Sequence, residues 1–238
     1  MLFIGLDLTD PFAKRKRFCT RAVLDSRLRL VLDEWEYQEN GTGIIPSTVK
    51  PPFVLAIDGP QGLAGAPDSK MRICERALGA AGKSPYEFPI MGRPFAGFVI
   101  GSVKLFEQLS HNRKFNLLGM QGNPQTINLI EVYPGAAWPL LAGHQHLPKK
   151  TSLQGRADRY EILLKLGVRF LPDFSLQTLP THDHLDAALA AYIGYLFTNE
   201  RVDYKGVAPF EDMIKSVLRE GFIIQPTEEG FLTERPFS

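Results

Sequence analysis

From Asp186 to Phe197 the chain offers a helix with no polar face: Asp186-Ala187-Ala188-Leu189-Ala190-Ala191-Tyr192-Ile193-Gly194-Tyr195-Leu196-Phe197. A helix that is apolar on all sides must be buried. Its alanines give it little bulk, so it can lie close to a sheet. Yet it opens with two acids, Asp183 and Asp186, whose three-residue spacing puts both on one face. Asp186 heads the stripe Ala190, Ile193, Phe197, and an ionised carboxylate is costly there unless something pairs with it. A plainer reading makes Asp183 an N-cap and Asp186 the distal member of a weak capping box. The two readings part on whether other acids stand at strand ends elsewhere in the chain.

They do. Residues 2–8 alternate, with Leu2, Ile4, Leu6 and Leu8 on one side and Phe3, Gly5 and Asp7 on the other. Residues 18–24 and about 28–37 suit two further strands, which makes an antiparallel meander. The loop 39–52, rich in Gly and Pro, leads to Phe53-Val54-Leu55-Ala56-Ile57-Asp58, an unbroken apolar run of the kind covered on both faces of a sheet. It ends in an acid and Gly59-Pro60. Ile127 to Tyr133 reads as another strand, carrying Glu131 and closed by Pro134. Helices are expected over 69–78, near 98–110, over 152–167, from Asp183 onward and over 209–220. A short strand is expected around 168–171 and a hairpin-like end from Phe222 to Leu232. The pattern is α/β, a mixed sheet of three antiparallel strands followed by parallel ones, flanked by helices.

The chain has 238 residues, 44% hydrophobic and 22% charged, with a formal net charge of +1. That is the composition of a soluble globular protein, and any basic footprint for nucleic acid must be local. Cys19 and Cys74 have no metal-type spacing. The N-terminus is too short for a signal segment and no stretch is long enough to span a bilayer, so the expected location is cytoplasmic, without a membrane partner.

In open α/β sheets, ligands collect at the carboxyl ends of strands. Asp7 and Asp58 stand at such ends. Each alone also fits an acid that merely starts a turn. Carboxylates gathered at one edge repel, and a hard divalent cation, Mg²⁺ or Mn²⁺, relieves that repulsion with oxygen ligands. Two such ions can activate water and stabilise the leaving oxygen of a phosphodiester.

Three antiparallel strands, a parallel strand ending in Asp and a late helix with paired aspartates resemble the RNase H-like nuclease fold. The Asp183-x-x-Asp186-Ala187 start is similar to that of Holliday-junction resolvases. More closely, the chain resembles the predicted RNase H-like nucleases grouped as domain of unknown function 429. The segments concerned are Gly5-x-Asp7, Ala56-Ile57-Asp58-Gly59-Pro60, Arg72-x-Cys74-Glu75, Glu131-Val132-Tyr133-Pro134, Gly155-Arg156-x-x-Arg159 and His182-Asp183-x-x-Asp186-Ala187, across residues 1–190. The expected organisation is one RNase H-like domain over 1–238, with a loop or lid insertion near 79–97, read from its four Gly and three Pro, and a C-terminal extension from about 200. The resemblance implies Asp7, Asp58 and Asp186 as metal ligands with Asp183 as a fourth, and Glu131 in support. One departure stands out: the helix that carries the catalytic Glu in RNase H itself, between the third and fourth strands, is nearly absent here. Activity carried over from a fold is analogy.

The basic residues have two readings each. Lys14 and Arg15, in the run Lys14–Arg17, suit a phosphate backbone or a solvated hairpin tip. Arg156 and Arg159 suit a phosphate clamp or salt bridges to Asp158 and Glu161; Arg72 is similarly two-sided. Two motifs mislead. Gly79 to Ser84 satisfies a relaxed P-loop pattern but follows a helix and precedes Pro85. His182-Asp183-His184-Leu185-Asp186 has the His-x-His-x-Asp order of zinc hydrolases, but Ala187 stands where that pattern continues with His, and no histidine follows. The expected function is a Mg²⁺- or Mn²⁺-dependent phosphodiesterase, a nuclease. The alternatives are a non-catalytic nucleic-acid or nucleotide binding protein and a hydrolase of a small phosphorylated metabolite. Protein partners stay open, a homodimer included.

Overall fold

The alternation in residues 2–8 is realised as strand β1 (Leu2–Asp7), the centre of an eight-stranded sheet in a computed structural model that describes residues 1–13, 18–120, 127–143, 146–175 and 178–227. β2 (Phe18–Asp25) and β3 (Arg29–Glu36) complete the antiparallel meander, and β4 (Phe53–Asp58) and β5 (Leu129–Val132) run parallel to β1 on its other side. β6 (Arg169–Leu171) adds a parallel edge to β3, and β8 (Val217–Pro226) pairs with β5 and with β7 (Val202–Asp212). The order is β6-β3-β2-β1-β4-β5-β8-β7. This mixed sheet flanked by helices has an RNase H-like arrangement.

Because side chains alternate along a strand, the central strands feed two cores. Phe3, Val54, Ala56, Ile130 and Val132 pack under α5 (His182–Thr198). Ile4, Leu6, Leu55, Ile57 and Leu129 pack under α2 (Ala96–Ser110). α5 approaches β1 very closely: a Cβ added to Gly5 would lie 2.1 Å from the carbonyl oxygen of Ala187 and 2.3 Å from the amide nitrogen of Ala191. Gly5 and the alanines together set that separation, and with it the reach from Asp186 to the sheet. α5 is capped by Thr181, whose hydroxyl accepts from the His184 amide while His184 Nδ1 accepts from the Thr181 amide. Asp183 is therefore inside the first turn and is not the N-cap.

The remaining helices are α1 (Ile73–Leu78), α3 (Pro134–Leu141) and α4 (Leu153–Lys165). Residues 37–52 contain no helix. The helix expected over 209–220 is instead the β7–β8 hairpin. Its apolar spacing suits a helix, but Val217 and Leu218 are buried in β8 while Met213 and Ile214, 79% and 94% exposed, form the turn. Pairing of β8 with β5 outweighs local periodicity. Among the described residues no helix is long and apolar enough to cross a membrane.

Candidate functional site

β1 and β4 are in parallel register with Asp7 directly beside Asp58. Both share strand parity with Phe3, Gly5, Val54 and Ala56, so both belong to the face covered by α5. α5 brings Asp186 to the same end. Asp7 and Asp186 are buried, at 8% and 2% exposure. Asp186 is held from two sides: Trp138 Nε1 donates to its Oδ1 at 2.7 Å, and Lys150 Nζ donates to its Oδ2 at 2.7 Å.

Burial, then the charges of Asp58, Asp186 and Asp183, push the Asp7 carboxyl well above the ordinary aspartate range. Burial, then Asp186, do the same to Asp58. Burial opposes the charge on Lys150, but Asp186 beside it raises its pKa. Among the described residues none donates a hydrogen bond to the Asp7 or Asp58 side chain; the Lys150 charge offsets part of their repulsion, and burial and the neighbouring carboxylates outweigh it. All-oxygen donors under mutual repulsion fit a hard divalent ion by charge and chemistry. They do not form a finished cage: among the described residues no three His, Cys, Asp or Glu side chains are set to hold a metal together. Lys150 takes up one oxygen of Asp186.

Asp7, Asp58, Asp183 and Asp186 line one cavity of about 880 Å³, together with Asp10, Lys149, Lys150 and Arg159. Arg159 lies over the Trp138 ring at 5.7 Å, and its Nη1 donates to the carbonyls of Pro148 and Gly155. Its Nε is buried without a partner among the described residues, and burial lowers its pKa. Arg156 does not line the cavity; its Nη1 donates to the carbonyls of Leu179 and Pro180, tying α4 to the approach of α5. Lys14 and Arg15 lie outside the described residues.

Two expected site residues are placed elsewhere. Glu131 is paired in register with Ile57, one residue short of Asp58, so it has the parity of Leu129 and the α2 face. Its carboxylate takes both terminal nitrogens of Arg72, at 2.7 and 2.6 Å, and the Gln61 amide at 2.9 Å. Arg72 also donates from Nε to Glu75 at 2.9 Å and is only 1% exposed. Burial alone would lower the Arg72 pKa, but Glu131 holds it well above its usual value; burial raises the Glu131 carboxyl while Arg72 pulls it back down. Glu131 and Arg72 are bonded to each other and do not line the cavity shared by Asp7, Asp183 and Asp186, although the Glu131 charge acts on Asp58. Both anchor β5, α1 and, through Glu220, β8. The Glu220 carboxylate accepts from the amides of Gly65 and Ile73.

Lys150 and Trp138 are the residues that sequence reasoning missed. Trp138 sits on α3, a helix not expected from the sequence, where Pro134 reads only as closing a strand, although proline is also favoured at a first helical position. Lys150 lies in a loop just ahead of the Ser152 cap of α4, where no periodicity marks it.

Comparison with known proteins adds a family signal over part of the chain. No curated protein and no solved structure shows significant similarity. Residues 102–208, which include Lys150, Arg159, Asp183 and Asp186 but neither Asp7 nor Asp58, match the family described as "Protein of unknown function (DUF429)".

Proposed function

We propose that the protein is a divalent-cation-dependent phosphodiesterase, a nuclease, with Mg²⁺ or Mn²⁺ held by Asp7, Asp58 and Asp186 and supported by Asp183. The observation that carries this is the in-register pair of buried Asp7 and half-buried Asp58, without hydrogen-bond donors among the described residues, meeting Asp186 from α5. The chemistry supplied by such a cation is activation of water and stabilisation of the charge on a leaving oxygen. The chain's own groups do the rest. Trp138 fixes the Asp186 carboxylate in one orientation. Lys150 and Arg159 offer positive charge in the same cavity to a phosphate's non-bridging oxygens. Lys150 Nζ now occupies Asp186 Oδ2, so that oxygen would be open to a cation only with Lys150 turned away from it.

The test is cleavage of single-stranded, duplex, hybrid and branched nucleic acids with Mg²⁺ or Mn²⁺. The expected result is cleavage that a chelator abolishes and that Asp58→Asn lowers by at least about a hundredfold, in line with the loss of a group whose interaction is made in the transition state. Unchanged cleavage in that variant removes the proposal.

The Lys150–Asp186 pair favours a second reading, a non-catalytic binding protein for nucleic acid or a nucleotide. It predicts binding without a cation that survives Asp58→Asn and weakens as salt rises. A cavity of about 880 Å³ also accommodates a small phosphorylated metabolite as substrate. That version predicts turnover of phosphate esters but not of polynucleotides.

A further inference from the structure

The lining of the acidic cavity comes from two chemically unlike parts of the chain. The segment before and within α4 brings Lys149, Lys150 and Arg159; the N-terminus of α2 brings Phe95 and Phe98, and the junction of β5 and α3 brings Tyr133. The first set suits a phosphate. The second set is aromatic, and Phe95 is 53% exposed although its neighbours Ala96 and Val99 are buried.

Phe95 is also in the wrong backbone for a phenylalanine. It is the N-cap of α2 with φ +63° and ψ 1°, and it makes no side-chain capping hydrogen bond. Left-handed backbone suits Gly or Asn, and an N-cap is best filled by Ser, Thr, Asp or Asn. Neither the cap nor the core calls for a phenyl ring at this position. Strained backbone conformations, held in place by the structure around them, cluster at active sites and ligand clamps. The ring lies beside Gly82 and, with Phe98, lines the cavity.

We propose that the cavity receives an unpaired nucleotide, its base stacked on Phe95 and its phosphate between Lys150 and Arg159, beside Asp7 and Asp58. This rests on the phosphodiesterase reading and narrows it to single-stranded or frayed nucleic acid. Base–aromatic stacking tolerates any base, because every base has a π-face. A base inside a duplex has both faces stacked on its neighbours and offers none to Phe95. The hollow has the volume of a ligand site. Arg159 brings to it a guanidinium already fixed by Pro148, Gly155 and Trp138, with Nε unpaired among the described residues.

The test is fluorescence anisotropy of the full chain with a short labelled single strand and with its duplex, in Ca²⁺ and again in chelator, with unlabelled mononucleotide as competitor. Single-strand binding is expected to exceed duplex binding by about tenfold or more. Phe95→Ala and Phe95→Gly are expected to weaken it by about tenfold, and Phe95→Trp to retain it. Phe95→Gly relieves the left-handed backbone, so it is expected to melt no lower than wild type, which separates lost stacking from lost folding. Competition by mononucleotide identifies a free nucleotide as the source of the base; competition by oligonucleotide alone identifies a strand. Equal binding of strand and duplex, unchanged binding in Phe95→Gly, or no binding by wild type overturns the proposal. Cleavage by Asp58→Asn is measured in parallel. Its persistence overturns the phosphodiesterase reading, whereas cleavage by wild type without dependence on Phe95 overturns only the stacking.

Discussion

Gly5 of β1 lies against the backbone of α5, leaving no space for a side chain between the strand and Ala187. This contact sets the height of Asp186 above Asp7. Gly5→Ala forces either strand or helix to move. Overpacking of this kind costs ~1–3 kcal/mol, which in a chain of this size lowers the melting temperature by roughly 2–4 °C per kcal/mol. Differential scanning calorimetry checks the loss. The same variant is expected to bind Mn²⁺ more weakly, because Asp186 is displaced.

The Asp7–Asp58 pair gives a pH signature. Both carboxyls titrate well above their ordinary range in the folded chain, through burial and the surrounding carboxylates. A raised folded pKa means that the native state binds the proton more tightly than the unfolded chain. Its contribution to stability is fully present below the unfolded value, about 4, and is lost as pH rises through the folded value. Asp58→Asn removes part of this dependence and one repelling charge. Without divalent cation it is therefore expected to be more stable than wild type at neutral pH, by ~1 kcal/mol, and the gap is expected to close as pH falls toward 4. Thermal melts of both proteins across that range in chelator test it; a variant that is less stable throughout contradicts the repulsion.

Arg72 offers the sharpest separation of a structural from a substrate-binding role. Arg72→Ala leaves Glu131 and Glu75 buried without their counter-charge, and breaking such a pair costs ~3–5 kcal/mol. The expected outcome is a protein that is unfolded or far less stable, measured by urea denaturation. A well-folded Arg72→Ala with only a raised KM would return Arg72 to the substrate.

Thr181 caps α5 and so presents both Asp183 and Asp186. Thr181→Ala removes the acceptor for the His184 amide, which lies 3.2 Å away. The expected cost is ~1 kcal/mol, and Thr181→Ser is expected to restore it. Chemical denaturation of the three proteins decides.

What could be read from the chain follows from how local each signal is. The strand alternation around Gly5 and Asp7 and the all-apolar run after Asp186 are short-range patterns, and both survive in the structure. Glu131 shows where such patterns stop. It is an acid on a strand, like Asp58, but the side to which it points depends on a register with β4 that only the folded sheet defines. A shift of one residue in that register would have put it in the cavity. Residues 209–220 have a true helical spacing that sheet pairing overrides. Lys150 carries no local signal at all, because its position beside Asp186 is made by the packing of α3, α4 and α5 and by nothing in its own loop.

The account depends on Asp7, Asp58 and Asp186 sharing a cation. The most direct measurement is anomalous diffraction from crystals of the protein soaked in Mn²⁺. The prediction is a peak on the α5 side of the sheet, roughly 2.0–2.2 Å from carboxylate oxygens of Asp7 and Asp58 and in reach of Asp186, with Lys150 Nζ moved off that carboxylate. A map with Lys150 still bound to Asp186 and no manganese at Asp7 and Asp58 would contradict it.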